Sequence, residues 1–125
     1  MKNKYGNRKI VTADGEFDSR REYQRWCELK LMERAGKLSF LKRQQKYLLI
    51  PAQYETYERR SEKTGKRLTD GRRCVEKECS YVADFVYILP SGELVVEDAK
   101  GVRTEGYIIK RKLMLQVYGI KISEV

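Results

Sequence analysis

The chain contains no histidine, three cysteines, two prolines and no long apolar run. Each shortage excludes something. Without histidine, Ser-His-Asp and Cys-His catalysis in their usual forms drop out. Cys27, Cys74 and Cys79 are odd in number and form no C-x-x-C pair. A zinc site would therefore need all three thiolates plus a carboxylate, and reduced thiols of a cytoplasmic protein are expected instead. No segment approaches the ~20 apolar residues of a membrane span. The basic opening MKNKYGNRK is followed by no apolar stretch, so a signal peptide is not expected. Acid–base chemistry is left to carboxylates, lysines, tyrosines or metal-bound water.

What is abundant is charge. The 125 residues are 41% hydrophobic and 36% charged, with 27 Lys and Arg against 18 Asp and Glu, a net charge of +9. The length suits one domain with one core, residues 1–125. The basic excess points to a polyanionic partner, less often an anionic membrane surface. Residues 1–8, with Lys2, Lys4 and Arg8, read as a flexible basic arm. Residues 59–73, RRSEKTGKRLTDGRR, are dominated by Lys and Arg with only Glu62 and Asp70 as acids, and predict a mobile loop or long hairpin tip.

The most informative stretch is residues 79–101, CSYVADFVYILPSGELVVEDAKG. Two runs rich in Val, Ile, Tyr and Phe flank Pro90-Ser91-Gly92, so a hairpin is expected. A three-residue loop favours a type I turn followed by a residue at positive φ; Pro90 presets the first position and Gly92 tolerates the last. Leu89 then faces Glu93, Val86 faces Val96, Asp84 faces Asp98 and Val82 faces Lys100. By alternation, Asp84, Asp98 and Lys100 share one face, and Ala83, Phe85, Tyr87, Val95 and Ala99 the other. Opposed carboxylates have Cβ atoms roughly 5 Å apart and are destabilising unless neutralised, with a divalent cation and Lys100 the natural candidates. Glu97 falls on the opposite face and is left out of the site. A salt-bridged surface strand pair is the structural alternative.

Elsewhere, residues 9–12 suggest a short edge strand before a turn at Ala13-Asp14-Gly15-Glu16. A helix follows, capped at Asp18 or Ser19 through the capping box Ser19-Arg20-Arg21-Glu22 and ended by Gly36. Glu22 either reaches back to the cap or projects toward the hairpin acids; both readings stand. Residues 37–50 suggest two strands around a polar kink at residues 42–45, and residues 52–57 a further one. Thr104 caps a helix over Glu105–Tyr118, stopped by Gly119, with Ile108, Ile109, Leu115 and Tyr118 toward the core and Lys110, Arg111 and Lys112 outward. Residues 120–122 suggest a closing strand. The order implies an α/β sandwich with a central mixed sheet flanked by helices.

Asp84 on one strand and Asp98-Ala99-Lys100 on its hairpin neighbour resemble the PD-(D/E)XK nuclease superfamily. Val82-Ala83-Asp84 stands where that family has its "PD", without the proline, and Glu22 matches the helical glutamate of its Holliday-junction-resolvase and RecB-like branches. The resemblance covers about residues 17–118, and is nearest to small phage-encoded Holliday junction resolvase-like endonucleases. It implies a restriction-endonuclease-like core, an intracellular phage or prophage product, and Mg²⁺-dependent hydrolysis of DNA, with Mn²⁺ able to substitute. The implied metal ligands are Asp84, Asp98, the Ala99 backbone carbonyl and Glu22, and the catalytic group is Asp84, Asp98, Lys100 and Glu22. A hard, oxygen-liganded cation suits such chemistry. DNA contacts are expected from Lys2, Lys4, Arg8, Arg20, Arg21, Arg59, Arg60, Lys63, Lys66, Arg67, Arg72, Arg73, Lys110, Arg111 and Lys112, mainly to phosphate. Tyr54, Tyr57 and Tyr107 are possible stacking residues. Cutting both strands of a branched duplex needs two sites, hence a homodimer. A non-catalytic DNA-binding protein that keeps the nuclease fold, and a basic interaction protein with a structural acid pair, are the alternatives.

Overall fold

The structure is a computed structural model, and it describes residues 9–99 and 102–125. In chain order the elements are β1 (Ile10–Thr12), β2 (Gly15–Phe17), α1 (Arg20–Arg34), β3 (Ser39–Ile50), β4 (Gln53–Tyr57), β5 (Gly71–Glu76), β6 (Cys79–Ile88), β7 (Leu94–Asp98), α2 (Glu105–Tyr118) and β8 (Ser123–Glu124). A four-stranded sheet has the order β3-β6-β7-β8 and is antiparallel except for the parallel β7–β8 pair. With two helices on this mixed sheet, the chain is an α/β protein.

Local chemistry sets the element ends. Ser19 Oγ accepts the Glu22 amide and Thr104 Oγ1 the Tyr107 amide, each satisfying an otherwise orphaned helical N–H. Gly36 and Gly119 follow or cap the helices at φ 74° and 68°, which costs glycine little. The β6–β7 turn closes with Gly92 N–H on the Leu89 carbonyl and Gly92 at φ 90°. The resulting register pairs Phe85 with Glu97 and Val86 with Val96, in the frame that Pro90 and Gly92 predict.

Two core clusters hold the helices, and β6 serves both. Leu29 of α1 is buried with Leu38, Phe85, Tyr87 and Ala99. Tyr107 and Met114 of α2 are buried with Leu49, Tyr81, Ala83, Val86, Val96 and Ile122. Ala83 therefore does not share a cluster with Phe85, as simple alternation predicts. Opposite this switch, between the pairs Arg43–Phe85 and Gln45–Ala83, Gln44 adopts φ 52°. A left-handed residue in one strand bends the ladder locally, which accounts for the lost alternation. The polar kink at residues 42–45 thus bends one continuous strand, β3, rather than dividing two.

Two further expectations are corrected and one is narrowed. In α2, Ile109, Leu115 and Tyr118 are exposed while Tyr107 and Met114 are buried. Apolar residues surround most of that helix, so docking on the sheet, and not periodicity, selects its buried side. The last strand is β8, one residue beyond the stretch 120–122. Of the two readings of residues 59–73, the long hairpin tip is what forms: β4 and β5 make their own two-stranded sheet, Arg60 bridges to Arg67 beyond it, and Gly71, Arg72 and Arg73 belong to β5.

Candidate active site

The site lies where β6 and β7 part. Their paired ladder ends at Phe85–Glu97, so Asp84 and Asp98 are the next opposed residues. There the Asp84 carboxylate takes over from the backbone, its Oδ2 accepting the Ala99 N–H at 2.8 Å. Asp98 is only 1% exposed, and its Oδ2 accepts the Tyr81 hydroxyl at 2.6 Å. A charge-assisted bond of that length is strong. Burial, followed by the Asp98 bond, pushes the Tyr81 phenol well above its ordinary range and keeps it a donor. Burial and the charge of Asp98 raise Tyr107 in the same direction.

Glu22 comes from the first turn of α1 and is 3% exposed. Its carboxyl is raised to about 7, first by burial, then by the negative charges of Asp84 and Asp18, against the opposing Asp18 backbone amide and Arg43. Gln44 donates to its Oε1 at 3.1 Å, and Arg43 lies at 3.9 Å. The Glu22 amide belongs to the cap, while its carboxyl lies within electrostatic reach of Asp84. The Arg43 guanidinium is itself spread over the Phe17 ring at 3.7 Å and bonded to the Glu16 carbonyl at 2.8 Å, which limits its neutralising effect.

Glu97, next to Asp98 in sequence, goes elsewhere. Its carboxylate is gripped by Arg25 of α1, with Nε at 2.8 Å and Nη2 at 2.7 Å, and by a very short bond from Tyr87. Burial and Glu97 push the Tyr87 hydroxyl up to about 12, and Glu97 raises the Arg25 guanidinium. This is a closed structural triad, distinct from the Asp84–Asp98 site.

All the donors at the latter site are hard oxygens, the set that a magnesium-like cation prefers. The crowding of negative charge that raises Glu22 is what a bound cation would relieve. Even so, among the described residues no three acid, cysteine or histidine side chains are close enough together to form a ready metal centre. Asp84 and Asp98 are brought together; Glu22 is near them without completing a cage.

The remaining expected site residues divide into several groups. Lys100, and Lys2, Lys4 and Arg8 of the N-terminal arm, lie outside the described residues. Arg20 and Arg21 are exposed at the start of α1. On α2, Lys112 is exposed, but Arg111 is half-buried and held by Glu124 at 3.2 Å, so its charge is already engaged. Arg59, Arg60, Lys63, Lys66, Arg67, Arg72 and Arg73 all lie exposed on the β4–β5 arm. Tyr54 and Tyr57 are exposed there too, whereas Tyr107 is core. Sequence reasoning missed Tyr81 and Gln44. The signal for Gln44 was its place in the polar kink at residues 42–45 of β3; for Tyr81 there was none, because the bend that brings it to Asp98 is tertiary.

No curated protein and no solved structure matches the chain. One family model does, that of the protein of unknown function DUF1064, over residues 2–123. With nearly the whole sequence inside that match, the chain belongs to the DUF1064 family.

Proposed function

We propose that this protein is a metal-dependent DNA endonuclease with a restriction-endonuclease-like core, acting on branched duplex as a dimer. The observation that carries the reading is the opposition of Asp84 and buried Asp98 at the mouth of the β6–β7 hairpin, with the Glu22 carboxyl raised to about 7 beside them. Acids gathered so closely are costly in a fold and useful at a cation site.

Asp84, Asp98 and Glu22 would hold the cation, with the Ala99 carbonyl as a further oxygen. When bound, Mg²⁺ supplies Lewis-acid polarisation of the phosphate and a more acidic water. Tyr81 fixes the orientation of Asp98 through its hydroxyl. Gln44 and the α1 cap hold Glu22 in place, and its proton must leave before it can act as a ligand. Lys100, adjacent to Ala99 in sequence, is the residue available to orient water and stabilise phosphate charge. The +9 chain draws the polyanion in by long-range attraction.

A second reading has its own support: with no three donors closely gathered among the described residues, the fold fits a DNA-binding protein without catalysis. The two separate in one experiment. A synthetic four-way junction and a matched linear duplex are incubated with the protein in Mg²⁺, Mn²⁺ or EDTA. Metal-dependent cutting of the junction is expected, and Asp98→Asn should lower it on the order of a thousandfold, several kcal/mol of transition-state stabilisation, while binding persists. No cutting of either substrate would leave the binding reading; equal cutting of both would remove the junction preference.

A further inference from the structure

The β4–β5 arm has no core. Its strands pair only with each other, every residue of β4 is exposed, and so is every residue of β5 except Gly71. An isolated two-stranded ribbon is marginal in water, so what holds it matters. Arg72 stacks over Tyr54 at 3.6 Å and Arg73 over Tyr57 at 4.4 Å. Tyr57 in turn lies across Gly71, where an added Cβ would come within 2.2 Å of the ring. Glu55 pairs with Arg73 at 3.0 Å and Asp70 with Arg67 at 3.1 Å. The ribbon is thus stiffened by surface contacts that hold two guanidinium groups over tyrosine rings.

Its charge and shape name a partner. Residues 53–77 carry eight Lys and Arg against five Asp and Glu, a net +3. Three of those acids are already tied to Arg60, Arg67 and Arg73. Arg59, Lys63, Lys66, Arg72 and Lys77 have no ion pair among the described residues. A B-DNA major groove, about 12 Å wide, admits a two-stranded ribbon. The arm continues the β3–β6 pair, with Ile50–Cys79 the last rung of the sheet and Gln53–Glu76 the first of the arm. At about 3.3 Å per residue, Asp84 lies some 17 Å of strand from Cys79, and the arm runs roughly another 23 Å from Gln53 to the Arg60–Arg67 bridge. With the three-residue step from Cys79 to Glu76, roughly 10 Å more, the contour from Asp84 to the bridge is about 50 Å, some one and a half helical turns of DNA at about 34–36 Å each.

We infer that the β4–β5 arm is a groove-binding ribbon that grips duplex DNA about one and a half helical turns from the acid site. This rests on the DNA reading of the preceding subsection and assigns the arm's role within it. The arm supplies affinity through phosphate contacts at Arg59, Lys63, Lys66 and Arg72, and requires a duplex flank beside whatever is cut.

The test is fluorescence anisotropy of a labelled duplex of about three turns (~30 bp) with the full chain in EDTA, so that binding is read without cleavage. Arg59→Ala/Lys63→Ala/Lys66→Ala/Arg72→Ala should weaken binding at least ~30-fold and reduce the slope of log affinity against log salt by about 3 to 4, near 0.9 per lost phosphate contact. Lys63→Glu/Lys66→Glu changes only exposed residues at the tip and should act in the same direction, so it carries the test if the fourfold variant does not fold. A folded variant with unchanged affinity and salt slope would overturn the inference. So would a variant that falls from dimer to monomer in sedimentation while retaining duplex affinity, which would assign the arm to contacts between copies. Arm-dependent binding by a wild-type protein that never cuts sinks the nuclease reading and leaves the arm; cutting with arm-independent binding does the reverse.

Discussion

Glu97 and Glu22 are both buried glutamates of one small domain, and they are treated in opposite ways. Glu97 receives a two-pronged Arg25 and the Tyr87 hydroxyl. Glu22 receives the Gln44 amide, a more distant Arg43, and the negative field of Asp84 and Asp18. The first arrangement compensates a charge; the second leaves a carboxyl that prefers its proton near neutrality. A protein that commits Arg25, three residues from Glu22 on the same helix, to Glu97 is not short of cations. On the reading proposed above, Glu22 is kept in that state for what it binds rather than for the folding of the chain.

The sharpest way to break this comparison is Arg25→Ala. It strands the buried Glu97 carboxylate and should destabilise the protein by about 3–5 kcal/mol, measured by urea unfolding, with per-molecule activity retained while the protein remains folded. Equal loss of activity and stability would merge the two groups into one site.

Next comes pH. Glu22 is raised from 4.5 to about 7, so the native state binds more protons than the unfolded chain between those values, and stability falls as pH rises through them. In EDTA the loss should approach about 3 kcal/mol by pH 8. Glu22→Gln should flatten that profile and stabilise the protein at pH 8 while abolishing metal-dependent cutting. Glu97→Gln should do the opposite, destabilising without abolishing cutting. A pH profile unchanged by Glu22→Gln would show that another group carries the titration. Metal affinity, read by calorimetry, should rise with pH across 7 in the wild type, because binding must expel the Glu22 proton.

The smallest effect is expected from Tyr81→Phe, which leaves Asp98 buried without its hydroxyl donor. About 2 kcal/mol of stability should be lost, with a larger loss in cleavage than in DNA binding if Tyr81 positions the ligand. Parallel losses would reduce Tyr81 to a core residue.

The hairpin register was legible because its determinants are local: Pro90 and Gly92 choose the turn, and the turn leaves one frame in which Asp84 meets Asp98. The helix caps at Ser19 and Thr104 were legible for the same reason. The buried side of α2 was not, since Ile109 and Leu115 are as apolar as the Met114 that was buried in their stead. Nor was the sorting of Ala83 away from Phe85, which depends on a left-handed Gln44 in a neighbouring strand. The β4–β5 arm was legible as charge and as a long hairpin tip, but β5 was not legible as a strand, because strand pairing without a core leaves no alternating apolar pattern to read.

The sequence by itself determined which groups could do chemistry and which two acids would oppose each other, because residue identity and a three-residue turn are properties of the chain alone. Only the tertiary structure decided which acids were compensated. Charge neutralisation depends on side chains that fold in from other elements: Arg25 reaches Glu97 across 72 residues, Gln44 reaches Glu22 across 22, and Tyr81 reaches Asp98 across 17.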